Sequence, residues 1–465
     1  MLSLDTEFFK QAIQNSKCSG KLKSNSTFSV DSRELEEGQI FIALSGKNVD
    51  GHDYILDAVQ KGASGIIINL DKSEIVNKLT DKQKKELFIA QVPNTRQALL
   101  DLAGAWRIQF DCAVVGITGS VGKTSTKEML ANILQSDGKS FIASKGNQNT
   151  LIGIALNILR LRQEHKIAIF EMGISARSEM EKLAALVRPT IGLITFIGHS
   201  HMEGLGSLED ICKEKNKIFK YFKNDNIGII NGDQPILSNI LYTHPVLRFG
   251  CKAINQIQAR KIQVNSNTIY FTLKIYNQKY KVVLQSNNLA TVNTALAAAS
   301  IAQVLGINAE SIVKGIEKPI AINSRFKQVS LKSNQGLIID DSYNANPESM
   351  KAALLAFEKI DAKGKKIAVL GDMLELGITS SFWHRQLGRF LRKVPSLDYL
   401  VLVGDLVNST KSTIPLNLKV EHFKDWQQAL EALKKQLDEE SVILVKGSRS
   451  MQLKCLVNEL GNNSL

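Results

Sequence analysis

The stretch GITGSVGKTSTKEML, Gly116 to Leu130, sets glycines, a lysine and hydroxyls at spacings that could hold a phosphate. The general G-x-x-x-x-G-K-[ST] loop, counted back from Gly122-Lys123-Thr124, needs glycine at position 117, and that slot holds Ile117. A strand before such a loop and a helix after it point the backbone N–H groups of Gly119, Ser120, Val121 and Gly122 at a phosphate, with Ser125 in the next turn. Lys123 can then reach terminal phosphates, and Thr124 can ligate Mg²⁺. The plainer alternative is a Gly/Ser turn in an α/β protein. Glu171 closes the apolar run IAIFEMG and stands either as a metal ligand beside Thr124 or as a solvated strand-end acid. His199 and His201 follow the run IGLITFI; no further His/Cys set has zinc spacing, and Glu171 at a neighbouring strand end makes a Mg²⁺ role for one of them credible. Lys213 and Lys215, on a helical segment beyond, read by themselves as surface lysines.

Positioning these groups requires strands that end at a common edge. Three regions of the chain carry the pattern. The first, 1–94, has short β-like runs, Ile40–Leu44 and Gly65–Leu70, separated by polar turns. The second, 95–320, opens on a helical segment, Thr95–Ile108. Buried strands come next at Ala113–Ile117, Ile167–Phe170, Ile191–Ile197 and Ile227–Ile230, with helical patterns between them. The third, 321–465, holds Gly336–Asp340, Lys366–Asp372, Tyr399–Asp405 and Ser441–Gly447, each as brief and β-branched as a buried parallel strand. The fold class is therefore α/β in three domains. A small N-terminal domain is followed by a central phosphate-loop domain on a mostly parallel sheet, then by a doubly wound, Rossmann-like C-terminal domain.

Composition removes other classes. With 465 residues and 44% hydrophobic content, the chain can build several cores. Its five cysteines form no C-x-x-C pair, which suits a reducing cytoplasm and argues against a disulfide framework or zinc ribbon. The N-terminus lacks the basic start and apolar run of a signal peptide. The uncharged run Val282–Ala309 carries Asn293, Gln303 and several hydroxyls, so a buried core helix, not a membrane span, is expected around Leu289–Ile307. The net charge of +13 comes from dispersed lysines with no basic block interleaved with aromatics. A nucleic-acid partner is not expected; anionic small-molecule substrates fit the charge better.

Taken together, the motifs resemble the Mur ligase superfamily, whose loop is T-G-[ST]-x-G-K-[TS], here TGSVGKT, Thr118–Thr124; it does not use the glycine that Ile117 replaces. The resemblance extends to DSRELEEGQIFIALSGKNVDGHDY (Asp31–Tyr54), DDSYNANPESM (Asp340–Met350), VLGDMLELG (Val369–Gly377), His384 and LVKGSR (Leu444–Arg449). These motifs are similar to those of the branch that joins D-alanyl-D-alanine to UDP-N-acetylmuramoyl-tripeptide in the cytoplasm, the last soluble step of the peptidoglycan precursor. The resemblance implies that ATP phosphorylates the tripeptide carboxylate and the dipeptide amine attacks the acyl phosphate, in a monomer that needs Mg²⁺. It implies, too, that Lys123 serves the γ-phosphate, and that Thr124 and Glu171 bind the nucleotide Mg²⁺. By the same resemblance His201, and not His199, binds a second metal ion with Lys215, which becomes an anionic ligand when carbamylated. Arg325 and Asp341 would contact the nucleotide's phosphate and ribose, and Asn293 the adenine side. Asn344, Asn346, Lys446 and Arg449 would face the cleft, with a cap or turn role as the alternative for each. Ser32 and Arg33 would hold the UDP end.

Some positions depart from the family pattern. GNQNT, Gly146–Thr150, has Thr150 where a second asparagine is usual, and Lys217 stands where a glutamate is usual. A second cation at Lys217 would favour an anionic Lys215. Leu289 and Ala290 replace the first two residues of the adenine motif, H-N-x-x-N, before Asn293. A sister ligase adding a single amino acid is the alternative within the family. The D-N-P-R motif of the diamino-acid-adding member is absent from the sequence. A nucleic-acid-stimulated ATPase is the alternative outside it.

Overall fold

The computed structural model describes residues 2–223, 225–265, 267–320, 322, 324–332 and 336–462. Its strands form three sheets. The first contains β1 (Lys17–Ser19), β2 (Phe28–Ser29), β3 (Ile40–Ile42), β4 (Gly65–Asn69) and β5 (Phe88–Val92), in the order β1-β5-β4-β3-β2. The second contains β6 (Ala113–Thr118), β7 (Phe141–Ala143), β8 (Ile167–Glu171), β9 (Ile191–Ile194), β10 (Ile227–Asn231), β11 (Val246–Gly250), β12 (Ile257–Val264), β13 (Ile269–Ile275) and β14 (Gln278–Leu284). Their order is β14-β13-β12-β11-β10-β9-β6-β8-β7, parallel from β7 to β12 and antiparallel across β12-β13-β14. The third contains β15 (Lys327–Ser330), β16 (Leu337–Asp340), β17 (Lys366–Gly371), β18 (Tyr399–Val403), β19 (Lys419–Phe423) and β20 (Val442–Lys446). Its order is β15-β16-β20-β17-β18-β19, with only β15 antiparallel.

Period-two alternation sends each strand's side chains to two cores. In the third sheet Ala368, Leu370, Leu400 and Leu402 enter one core, while Ile367, Val369, Val401 and Val403 enter the other, as a doubly wound domain requires. In the second sheet Val115, Ile117 and Ile169 face one side, and Val114, Ala168 and Phe170 the other. The sequence expectations for these strands hold within a few residues. The hairpins β12-β13-β14 lie outside those expectations, although β13 shows the signal, alternating buried and solvated side chains along IYFTLKI. The expected core helix is Ala290–Val304, buried along most of its length. Among the described residues no helix is long and apolar enough to cross a membrane.

The first two sheets share one continuous core. Helix Thr95–Arg107 lies between them, and its Trp106 meets Phe8 and Phe110 edge-on and donates from Nε1 to Leu161 O at 3.2 Å. The third sheet meets the second largely through polar contacts: Arg325 to Thr124, His199 to Glu348, and Glu203 N to Glu375 O at 3.1 Å. The expected boundary residue Ala321 lies outside the described residues.

Candidate active site

Ile117 is fully buried inside β6, paired with Glu171 on β8 and Leu193 on β9. The slot in which the general loop needs glycine is therefore still strand here. The turn begins two residues later, at Gly119, where φ is +147° and an added Cβ would sit 1.9 Å from Thr195 Oγ1. Gly122, at φ +85°, precedes helix Lys123–Ser136 and brings no side-chain cap to it, so the first N–H groups of the helix are left for an anion. The loop is braced from behind. Ser120 N donates to Phe196 O at 2.7 Å, Ser120 Oγ to Gly198 O at 2.8 Å, and Thr195 Oγ1 lies 2.5 Å from Val121 O. Lys123 folds back to donate to Gly119 O at 2.7 Å, and burial lowers its proton affinity, with Glu171 opposing and Arg325 adding.

At the end of β8, Glu171 is buried. Its Oε1 accepts from Asn149 Nδ2 at 2.9 Å, and its Oε2 has no partner among the described residues. A buried carboxylate oxygen without a donor, one strand from Thr124, fits a cation and disfavours the solvated-acid alternative. Among the described residues no three His, Cys, Asp or Glu cluster as metal ligands. Asn149 is delivered by a loop anchored on Lys127, a buried lysine whose Nζ donates to Ser144 O at 2.7 Å and Gly146 O at 2.9 Å. Asn157 fixes the same loop by accepting from Lys145 N at 3.0 Å and donating to Gln148 Oε1 at 2.9 Å. Thr150, the departure from the usual asparagine, caps helix Leu151–Ile158, a role either residue type fills.

The two histidines separate cleanly. His199 bonds Glu348 of the C-terminal domain through Nδ1 at 2.6 Å and packs at a tilt against Trp383, while His201 lines the cleft with its Nδ1 against the Glu375 carboxylate. Lys215 is corrected from the surface reading its sequence context suggests. It is 1% exposed, whereas Lys213 is exposed. Burial pushes the Lys215 ammonium well below its ordinary range; the charge of Lys123 pushes the same way and Glu214 opposes. Lys217 does not play the expected electrostatic part, because it is committed to Glu214 at 2.6 Å. The cation that bears on Lys215 is Lys123.

From the C-terminal domain, Arg325 stacks on Tyr343 and donates from Nη2 to Thr124 Oγ1 at 3.0 Å. Asp341 accepts from Phe326 N at 3.1 Å and pairs with Lys446 at 2.7 Å; burial raises its pKa and Lys446 opposes. Lys446 also donates to Asn344 O at 2.9 Å. Asn346 caps helix Pro347–Glu358 through Ser349, the cap alternative, while still lining the cleft. A cleft of about 1140 Å³ brings together Ser120–Lys123, Ser125, Glu171, His201, Asn293, Arg325, Asp341, Asn344, Asn346, Lys446 and Arg449. Ser32 and Arg33 are not among its walls. Ser32 is buried with its carbonyl on Lys61, and Arg33 extends into solvent paired with Asp31, whose pKa that pair holds down at about 2. Sequence reasoning does not single out Asn149, Lys127, Thr195 or Tyr343, since each is an ordinary residue type made functional only by its neighbours.

The fold and the site define a three-domain, ATP-using enzyme built on a phosphate loop. Three family models match in register with the three sheets: "Mur ligase family, catalytic domain" over residues 26–107, "Mur ligase middle domain" over 117–303 and "Mur ligase, glutamate ligase domain" over 324–449. The chain belongs to the Mur ligase family. It is 33% identical to the UDP-N-acetylmuramoyl-tripeptide–D-alanyl-D-alanine ligase of Bacillus subtilis, covering 92% of each chain, and 34% identical to that of Escherichia coli, covering 93% of each. Among solved structures it resembles MurF from Acinetobacter baumannii, with 29% identity, 98% coverage of each chain and a TM-score of 0.83. It also resembles the Thermotoga maritima MurF ligase in complex with ADP, with 27% identity, coverage of 93% and 96%, and a TM-score of 0.77. A second Acinetobacter structure, 29% identical with a TM-score of 0.79 and coverage of 98% and 97%, is named as a UDP-N-acetylmuramoylalanyl-D-glutamyl-2,6-diaminopimelate–D-alanyl-D-alanyl ligase.

Proposed function

We propose that the chain is an ATP-dependent ligase that joins D-alanyl-D-alanine to UDP-N-acetylmuramoyl-tripeptide, forming an amide bond and releasing ADP and phosphate. The observation that carries this is the one cleft in which a phosphate loop, a partnerless buried carboxylate oxygen and a C-terminal arginine converge, in a chain whose relatives over its whole length carry that name. The acceptor, like the substrate named for the second Acinetobacter relative, has a glutamyl residue before the residue whose carboxylate is activated.

The chemistry must bring two anions together, the peptide carboxylate and the γ-phosphate. Helix N–H groups after Gly122 and the ammonium of Lys123 would hold the phosphate and screen that repulsion. Arg325, already on Thr124, would follow the phosphate charge as it moves to the carboxylate. Thr124 Oγ1 and Glu171 Oε2 would hold Mg²⁺, which when bound neutralises phosphate charge. A second site would use His201 and Lys215. Burial disfavours the Lys215 ammonium, and in its amine form Nζ can attack CO₂, forming an N–C bond and losing a proton, and so become a carbamate. Asn293 would meet the adenine side, and Asp341 with Asn344, Asn346, Lys446 and Arg449 would line the nucleotide and dipeptide side.

The division at 94/95 and 320/321 assigns UDP binding, with Ser32 and Arg33, to the first part, ATP to the second, and nucleotide and dipeptide contacts to the third. The enzyme acts as a cytoplasmic monomer. Because Ser32 and Arg33 stand apart from the cleft, the extended UDP-peptide bridges from the first domain into it. The test incubates the purified chain with ATP, Mg²⁺, UDP-muramoyl-tripeptide and D-alanyl-D-alanine. ADP release should require both substrates, and single amino acids should not replace the dipeptide. ADP release with a single amino acid would assign a sister ligase instead.

A further inference from the structure

The cleft crosses the carboxyl ends of the central strands from one face of the sheet to the other. One end is lined by the exposed Asn293 of helix Ala290–Val304 and by Ile316 and Ile320, which belong to the core this helix packs with helix Lys123–Ser136. The opposite end is lined by Leu151, Ile174 and Leu183, from the core shared with the N-terminal sheet. With the adenine on the Asn293 side, the acceptor reaches the γ-phosphate in line from the opposite end.

That opposite end holds two cations, Arg96 on helix Thr95–Arg107 and Lys182 on helix Glu179–Val187. Both are exposed into the cleft, and among the described residues neither has a hydrogen bond, an ion pair or an aromatic partner. The adjacent acid does not balance them. Glu179 is committed to backbone, accepting from Ser175 N at 2.7 Å and Ala176 N at 3.0 Å. Two other exposed arginines are paired with carboxylates, Arg33 with Asp31 and Arg177 with Asp210. Two unpaired positive charges inside a cleft, on the side by which a peptide acid enters, call for an anion that belongs to the acceptor.

We propose that Arg96 and Lys182 bind the free carboxylate of the acceptor's glutamyl residue, the one that is neither in the chain bond nor activated by ATP. This rests on the function proposed above. A glutamyl residue within a peptide uses one carboxyl for the chain and keeps the other as an anion. The Arg96 guanidinium can take that group bidentately, with Lys182 as a nearby point charge. The pair then sets specificity and register: it rejects acceptors in which this group is missing or amidated, and it places the next residue's carboxylate toward Lys123.

The test is steady-state kinetics of the full chain, its Arg96→Ala and Lys182→Ala variants, and the double variant. Each single change should raise KM for the UDP-tripeptide about tenfold to a hundredfold. The KM values for ATP and D-alanyl-D-alanine should stay unchanged, and retained ADP binding by calorimetry would show an intact fold. Amidating the glutamyl carboxylate should impose a similar loss on the wild type and no further loss on the variants. Unchanged KM in the double variant would overturn the proposal. So would an equal KM rise with the carboxylate and the amide acceptors, which would move the cations to the nucleotide diphosphate. Absence of any wild-type turnover would overturn the proposed function itself, whereas an active wild type with indifferent variants overturns only this assignment.

Discussion

Replacing Lys127 with methionine should uncouple the loop that carries Asn149 from the phosphate site. Lys127→Met keeps the length of the side chain and removes its ammonium. In the structure that ammonium is buried, donates to Ser144 O at 2.7 Å and Gly146 O at 2.9 Å, and lies 2.9 Å from Glu128 Oε1. Methionine cannot donate, so two carbonyls lose their partner, each at a cost of about 1–3 kcal/mol if left unmet. Removing a buried charge returns part of its desolvation penalty, and the half-exposed Glu128 is taken up by water. The net expectation is a loss of about 2–4 kcal/mol. The damage is directed: Asn149 O accepts from Gly173 N at 2.9 Å, and its amide holds Glu171. Hydrogen exchange at Gly173 should therefore accelerate and kcat should fall about tenfold to a hundredfold. ADP affinity should change little, because the Gly119–Thr124 loop is braced separately by Thr195 and Phe196. A variant with unchanged urea midpoint, exchange and kcat would refute the claim that this ammonium holds the loop.

Gly119→Ala should cut ADP affinity by at least about tenfold in calorimetry, since its Cβ would sit 1.9 Å from Thr195 Oγ1 at a φ of +147°. Lys215→Met should abolish turnover yet raise stability. The buried ammonium's folded pKa lies well below 10.5, so below that pH the unfolded chain binds a proton that the folded chain resists. Chemical denaturation should accordingly show wild-type stability rising as pH approaches 10.5, and a flatter profile in Lys215→Met. Burial likewise lowers the pKa values of His244 and His384 from 6.5. Below pH 6.5 the unfolded chain therefore gains protons that the folded chain refuses, and stability should fall as pH drops toward the folded values. His244→Phe, filling the ring cluster of Phe219, Phe222 and Tyr242, should make that acid limb shallower in denaturation curves.

Much of the site was legible in the chain because its chemistry depends on local backbone form. The loop Gly119–Thr124, the strand-end acid Glu171 and the cap at Asn346 each follow from a run of residues in which strand, turn and helix succeed one another. The parallel strands were legible because burial on both faces demands continuous apolar runs. The hairpins β12-β13-β14 are hard to see in the chain because their alternation is interleaved with lysines and polar residues, and only pairing with β11 shows that they extend the sheet.

By itself the sequence determined the three-part α/β plan, the phosphate loop with its shifted glycine, and the set of charged residues available to it. These depend on periodicity, turn chemistry and residue type, which are properties of neighbours along the chain. Only the tertiary structure decided which charges are free. Lys215 looks in sequence like a surface lysine and is buried, and Lys217 looks like its modulator and is paired with Glu214. Ordinary residues such as Lys127 and Asn149 became supports of Glu171, and Arg96 and Lys182 were left in the cleft without partners among the described residues. Proton affinity and pairing depend on dielectric and distance, and folding sets both by bringing together residues far apart in sequence.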